Sequence, residues 1–291
     1  MPAPIVTVSA RTMLLGARAA YQVVNVARGP WRSKQVVVTR DGLRWSLDLR
    51  EGIDLSIYLF GAFEPSVVRR YRRLVSPGDV VVDIGANVGA HTLPLARAAG
   101  EAGRVVAFEP TGWAYSKMLV NLGLNPELGA RVTAVQAMLV SPDEPQLPPA
   151  IYSSWPLASG SELHPLHRGR LMSTDEARAV TLDDYLAGSG PDRVDFLKID
   201  VDGAEPEVLA GAASTIDRHR PRIVIEMAPC AYEDNEGFVA TDGFERIVDS
   251  LLGQGYRFEH LRTGRPLPRD AGGLAARIPD GSSMNVLCVP E

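Results

Sequence analysis

Only two of the 291 residues are cysteines, Cys230 and Cys288. That is too few for a disulfide framework or a cysteine-rich structural zinc site. Positive charge is also short: 30 Lys and Arg against 35 Asp and Glu leave a net charge of −5. The deficit argues against a surface that tracks phosphates, and so against a dedicated nucleic-acid binder. No uninterrupted apolar run reaches the ~18 residues that a membrane-spanning helix needs. The short stretch Met13, Leu14, Leu15 is flanked by Arg11 and Arg18 and lacks a clear small-residue cleavage site. It reads as a cytoplasmic N-terminal helix packed on the domain rather than as a signal peptide. Hydrophobic residues make up 45% of the chain and charged residues 22%, which excludes global disorder.

What is present is an alternation of short apolar strands and amphipathic helices. An N-terminal extension, residues 1–64, is expected to hold a helix and a hairpin, Gln35–Thr39 with Leu43–Leu49, turning at Asp41 and Gly42. After Pro65, Val67, Val68, Tyr71, Leu74 and Val75 share one helical face, and Arg69, Arg70, Arg72 and Arg73 lie largely on a solvated one. Strands are then predicted at Asp79–Ile84, Arg104–Glu109, Arg131–Gln136, Val194–Asp200 and Arg222–Met227, with Tyr256–Leu261 and Met284–Val289 as a C-terminal pair. This spacing implies an open, mostly parallel α/β sheet over residues 65–291. An insertion at 141–180, between the third and fourth strands, has the length and composition of a substrate lid. Thr111 and Thr181 are placed to cap the helices that follow them.

The segment with most chemistry is Asp83-Ile84-Gly85-Ala86-Asn87-Val88-Gly89. A strand ends in an acid, turns on glycines, and opens a helix. Gly85 and Gly89 permit a tight turn and a close approach of a ligand to the backbone. Glu109 follows at the end of the second strand, placed to accept both ribose hydroxyls of a nucleoside. A dinucleotide site would want a glycine where Asn87 stands, and Asp83 would repel a pyrophosphate while suiting an ammonium group. A nucleoside joined to an amino acid is S-adenosylmethionine, and this is the cofactor the segment predicts. Asp83, Gly85, Asn87, Gly89 and Glu109 are the binding residues, with Met138 beside the adenine. A NAD-type oxidoreductase and a non-catalytic nucleoside-binding protein remain the alternatives.

These motifs resemble those of the FkbM family of S-adenosylmethionine-dependent methyltransferases. The resemblance is carried by Asp83–Gly89, Ala107–Pro110, Asn121–Pro126 and Leu197–Glu205, with Phe60–Pro65 as a short element before the core. It implies a Rossmann-like class I methyltransferase sheet of seven strands, the last antiparallel. It also implies O-methylation of a sugar, glycolipid or secondary metabolite, and so a small-molecule or glycan acceptor. His91 stands where many members carry an aromatic residue, and Val201-Asp202 where Val-Glu is common.

His91, Asp200 and Asp202 are the catalytic candidates. His91 opens the first helix, a place for a general base. Asp200, Asp202 and Glu226 end neighbouring strands and offer oxygen ligands to Mg²⁺. The simpler expectation is no metal, with Asp200 at the cofactor's methionine and Asp202 capping the helix near Ala204. His164 and His167 lack a zinc-ligand pattern, Cys230 reads as a small buried residue, and Trp155 is a candidate for stacking on substrate.

Overall fold

The computed structural model describes residues 10–29, 33–157, 169–229, 242–279 and 282–291. Trp31, His164, His167 and Cys230 lie outside them. In chain order the elements begin with α1 (Ala10–Arg28), the hairpin β1 (Gln35–Arg40) and β2 (Leu43–Asp48), α2 (Gly52–Phe60) and α3 (Pro65–Leu74). Next come β3 (Val80–Ile84), α4 (Thr92–Ala99), β4 (Arg104–Phe108), α5 (Gly112–Gly123), α6 (Pro126–Gly129) and β5 (Val132–Val135). β6 (Ala137–Leu139) precedes the insertion, which holds β7 (Ala150–Ser153), β8 (Arg170–Ser173) and β9 (Arg178–Val180). The chain closes with α7 (Leu182–Ser189), β10 (Phe196–Ile199), α8 (Glu205–Ala210), α9 (Ala213–His219), β11 (Arg222–Met227), α10 (Gly243–Gly253), β12 (Tyr256–His260), α11 (Ala271–Ala275) and β13 (Met284–Pro290).

Seven strands form one sheet in the order β12-β13-β11-β10-β3-β4-β5. β3, β4 and β5 are parallel neighbours, as are β10 and β11. β13 runs antiparallel to both β11 and β12, the arrangement the sequence motifs implied. No described helix is long and apolar enough to cross a membrane.

The chain divides into two compact units, one of residues 13–138 with 147–179 and the other of residues 1–12, 139–146 and 180–291. In the first, Asp41 and Gly42 both take positive φ, 46° and 73°, the backbone that a two-residue hairpin turn requires. Leu43, Trp45 and Leu47 face inward and alternate with Arg44 and Ser46, so β2 buries one face only. Ala17, Ala20, Tyr21 and Val24 of α1 pack against this core. α3 buries Val67, Val68, Tyr71 and Leu74 and leaves Arg69, Arg72 and Arg73 exposed, as its periodicity predicts. α2 was not expected, because its residues GIDLSIYLF are rich in strand formers. Burial of Leu55 and Ile57 and a left-handed stop at Gly61, whose N–H reaches the Ile57 carbonyl at 2.9 Å, make it a helix.

In the second unit β10 is buried along its whole length, and β11 along most of it, which is why both read as continuous apolar runs. Cys288 lies in the middle of β13, where burial pushes its thiol up and keeps it protonated.

One side chain ties the hairpin to the turn after β3. Asn121 of α5 is fully buried. Its Oδ1 accepts the Ser46 N–H at 2.8 Å and its Nδ2 donates to the Val88 carbonyl at 2.9 Å. Asn121→Ala leaves both backbone groups without this partner. The expected cost is about 1–4 kcal/mol of unfolding free energy, from ~1–3 kcal/mol for the buried Val88 carbonyl and at most ~1 kcal/mol for the half-buried Ser46 amide. Urea denaturation of the variant measures it, and a loss below about 0.5 kcal/mol contradicts the linking role.

Candidate active site

The turn that follows β3 is fixed from three sides. The Gly85 and Ala86 N–H groups both donate to the Phe108 carbonyl, at 3.1 and 2.9 Å, which locks the turn to the end of β4. Asp83 is buried beneath it, with Oδ2 accepting the Thr92 hydroxyl at 2.6 Å. That bond joins the end of β3 to the first residue of α4. Glu109 closes the third side: Oε2 accepts the Asn87 N–H at 2.9 Å, and Oε1 accepts the N–H and hydroxyl of Thr111 at 2.9 and 2.5 Å.

Asn87 occupies left-handed backbone, φ 48°, a conformation that asparagine tolerates better than most non-glycine residues. This explains how a side chain replaces the middle glycine of a dinucleotide turn. Gly89 is at φ 83°, and a Cβ there would stand 3.3 Å from the Met118 side chain, so helix α5 approaches this glycine closely.

A carboxylate has about four acceptor positions, and three of those on Glu109 are taken within the protein. One acceptor position on Oε2 is left to meet a ligand, where the sequence suggested two. Burial is the leading reason why the Glu109 carboxyl holds its proton above the ordinary carboxylate range; the bonds from Thr111 and Asn87 oppose this shift, and the charge of Asp83 reinforces it. Two buried carboxylates under one turn make a poor cradle for a pyrophosphate and a good one for hydroxyl or ammonium donors. Met138 is half-buried in β6 between the buried Ala137 and Leu139.

Thr111 stands at the N-cap of α5 but makes no capping bond. Its hydroxyl is turned to Glu109 instead, which corrects the expected cap. Thr181 does cap α7, accepting the Asp184 N–H at 3.0 Å.

The insertion reaches this turn through strand pairing rather than as a bare loop. β7 and β8 pair antiparallel, and the segment after β7 is strapped to α2 by Gly52 N–H to the Trp155 carbonyl at 2.7 Å and Leu157 N–H to the Arg50 carbonyl at 2.8 Å. Asn87 Nδ2 meets Ser153 Oγ at 3.3 Å. Trp155 contacts Phe63 edge-on, with centroids 6.3 Å apart.

His91 is the N-cap of α4 and is buried. Its Nδ1 lies 2.8 Å from the Tyr71 hydroxyl, and its Nε2 lies 3.4 Å from Glu64 Oε2. The rings of Phe63 and Tyr71 stand edge-on to the imidazole, at 5.7 and 5.8 Å. Neither Glu64 nor Tyr71 carried a site signal in the sequence, since both matter only through contact with a residue 20 or more positions away.

In the second unit the candidate ligand oxygens of Asp200, Asp202 and Glu226 all lie within 4.8 Å of one another. Lys198 Nζ is 2.9 Å from Asp200 Oδ2 and is itself buried. Ser283 donates to Glu226 Oε1 at 2.6 Å. Asp202 is not the cap of α8: the N-cap is Ala204, without a side-chain bond. Glu205 performs the task that was expected of Asp202, accepting the Val201 and Gly203 N–H groups, both at 3.0 Å. That bonding holds Asp202 in left-handed backbone at φ 51°.

Residues 83–258 match the family model described as the methyltransferase FkbM domain. A curated protein, methyltransferase sdnD of Sordaria araneosa, is 33% identical over 158 residues, 45% of this chain and 59% of its own length. Solved structures that resemble the chain include a methyltransferase FkbM from Methylobacillus flagellatus, at 16% identity and TM-score 0.42 over 76% of this chain and 50% of that one. Another is an O-methyltransferase from Bacillus cereus in complex with SAH, at 13% identity and TM-score 0.47 over 95% of this chain and 91% of that one.

The elevated proton affinity of Glu109 has a measurable consequence. The folded carboxyl binds its proton more tightly than the unfolded one, whose ordinary value is 4.5. Between that value and its own higher one the native state holds more protons, so stability falls as pH rises through this window. Denaturant unfolding from about pH 4 to pH 8 should show the wild type losing stability relative to Glu109→Gln as pH rises through the window. Parallel curves contradict the assignment.

Proposed function

The chain belongs to the methyltransferase FkbM domain family, and from that premise we propose that it transfers the methyl group of S-adenosylmethionine to a hydroxyl oxygen of a small-molecule or glycan acceptor. The observation that supports this reading is the turn at Asn87, held from below by Glu109. Its acceptor-rich lining suits a ribose hydroxyl and an ammonium group and disfavours the phosphates of a dinucleotide. When bound, the cofactor supplies an electrophilic methyl on a sulfonium sulfur.

The protein's own part is to hold and orient. Glu109 takes one ribose hydroxyl through its remaining acceptor position. Gly85, Asn87 and Gly89 shape the backbone against the amino-acid end, and the buried charge of Asp83 favours its ammonium. Met138 flanks the adenine. The strap at Ser153–Trp155 shields the turn from water and offers the indole of Trp155 to the acceptor.

The transfer is proposed to be metal-independent. Two of the three carboxylates at the ends of β10 and β11 already have partners within the protein, Asp200 in the Lys198 ammonium and Glu226 in the Ser283 hydroxyl, and these partners support the reading. Retention of activity in EDTA checks this, and loss restored by Mg²⁺ contradicts it.

Titration calorimetry tests the cofactor. S-adenosylhomocysteine is expected to bind and NAD not to bind. Glu109→Ala should weaken S-adenosylhomocysteine by roughly 10–100-fold, the worth of one charge-assisted bond of ~1.5–3 kcal/mol. Tight NAD binding, or unchanged affinity in the variant, contradicts the site. Tritium transfer from labelled S-adenosylmethionine to simple glycosides, glycolipids and hydroxylated polyketides tests the acceptor class. Labelling confined to nitrogen or carbon acceptors overturns the O-methyl reading.

A further inference from the structure

The geometry points to Glu64, not His91, as the group that takes the acceptor's proton, with His91 and Tyr71 as positioning residues behind it. The inference rests on the methyl-transfer reading above and assigns the base within it.

The two ring nitrogens of His91 face different partners. A carboxylate oxygen faces His91 Nε2 at 3.4 Å, and two lone pairs at that separation repel, so the proton of the neutral imidazole belongs on Nε2. Nδ1 is then an acceptor, and the Tyr71 hydroxyl at 2.8 Å is its donor. In this tautomer His91 has no lone pair to offer a substrate. Its side chain is also only 5% exposed, against 27% for Glu64, and the Phe63 and Tyr71 rings flank it. Nε2 makes no hydrogen bond of ordinary geometry, so its contact with Glu64 is long, as catalytic contacts often are before substrate tightens them.

The backbone supplies an independent observation. Glu64 sits at φ 45° and ψ 64°, left-handed, although it is not glycine and precedes Pro65. The residue before a proline ordinarily takes extended backbone, and such strain persists where the surroundings fix it, most often at working sites. Left-handed backbone at Glu64 aims the carboxylate at His91 from the start of α3 while His91 starts α4.

The step balances. As the acceptor oxygen forms its bond to the methyl carbon, the carbon–sulfur bond breaks with its electron pair going to sulfur. The hydroxyl proton passes to the Glu64 carboxylate, which becomes a neutral acid while the sulfonium becomes a neutral thioether.

The test has two arms. Imidazole ¹⁵N NMR of the full chain with S-adenosylhomocysteine bound reads the His91 tautomer without any acceptor. Protonated Nε2 with bare Nδ1 is expected, and protonated Nδ1 with bare Nε2 overturns the proposal. In the tritium-transfer assay, Glu64→Gln should lower kcat by ~10²–10⁴-fold with S-adenosylhomocysteine affinity within twofold of wild type. Glu64→Asp should recover part of the loss, and Tyr71→Phe should lower kcat by about tenfold or less, as befits a positioning group. Wild-type kcat in Glu64→Gln overturns the assignment. If S-adenosylhomocysteine binds but wild-type enzyme labels no hydroxyl acceptor, the O-methyl reading fails, while the NMR arm still decides the pairing of Glu64 with His91.

Discussion

The site depends on a carboxylate that is buried and nearly saturated. Glu109 spends three of its acceptor positions on Asn87 and Thr111, and so it acts as a clamp on the turn. Burial makes its charge costly, and the protein offsets that cost with backbone and hydroxyl donors that also set the shape of the turn. Asn87 can hold left-handed backbone there partly because its N–H is anchored to this oxygen. Remove the anchor, and the turn loses its hold on the Asn87 amide.

The clamp is extended outward by polar side chains at buried positions. Asp83 and Thr92 bracket the turn from beneath, Asn121 links Val88 to the N-terminal hairpin, and Ser153 approaches Asn87 from the strap. The N-terminal segment and the insertion therefore contribute to the turn through hydrogen bonds to its backbone or side chains. Backbone groups in a turn have no ladder partners of their own, so side chains such as Asn121 must meet them.

Much of this was legible in the sequence. β3, β4 and β10 are buried on both faces and read as short apolar runs, and the glycines and acid after β3 mark the turn. β12 shows the alternation of a half-buried strand, whereas β13 buries Val286, Leu287 and Cys288 in succession. What could not be read depends on contacts between distant residues. α2 is written in strand-forming residues and becomes helical only because the core accepts Leu55 and Ile57. Thr111 looks like a cap and is turned to Glu109 by a stronger, charge-assisted bond. Asp202 looks like a cap and yields to Glu205, which reaches two amides at once. Glu64 gains its meaning from a left-handed φ and from an imidazole 27 positions later, and neither leaves a mark on local composition.

The central claim is that the turn held by Glu109 is a nucleoside site for methyl transfer. A crystal structure of the chain with S-adenosylhomocysteine tests it most directly. The account predicts a ribose hydroxyl within hydrogen-bond distance of Glu109 Oε2, with Thr111 still bonded to Oε1 and the amino-acid end against Gly85–Gly89. A ribose held elsewhere, with Glu109 still closed on Asn87 and Thr111, would contradict it.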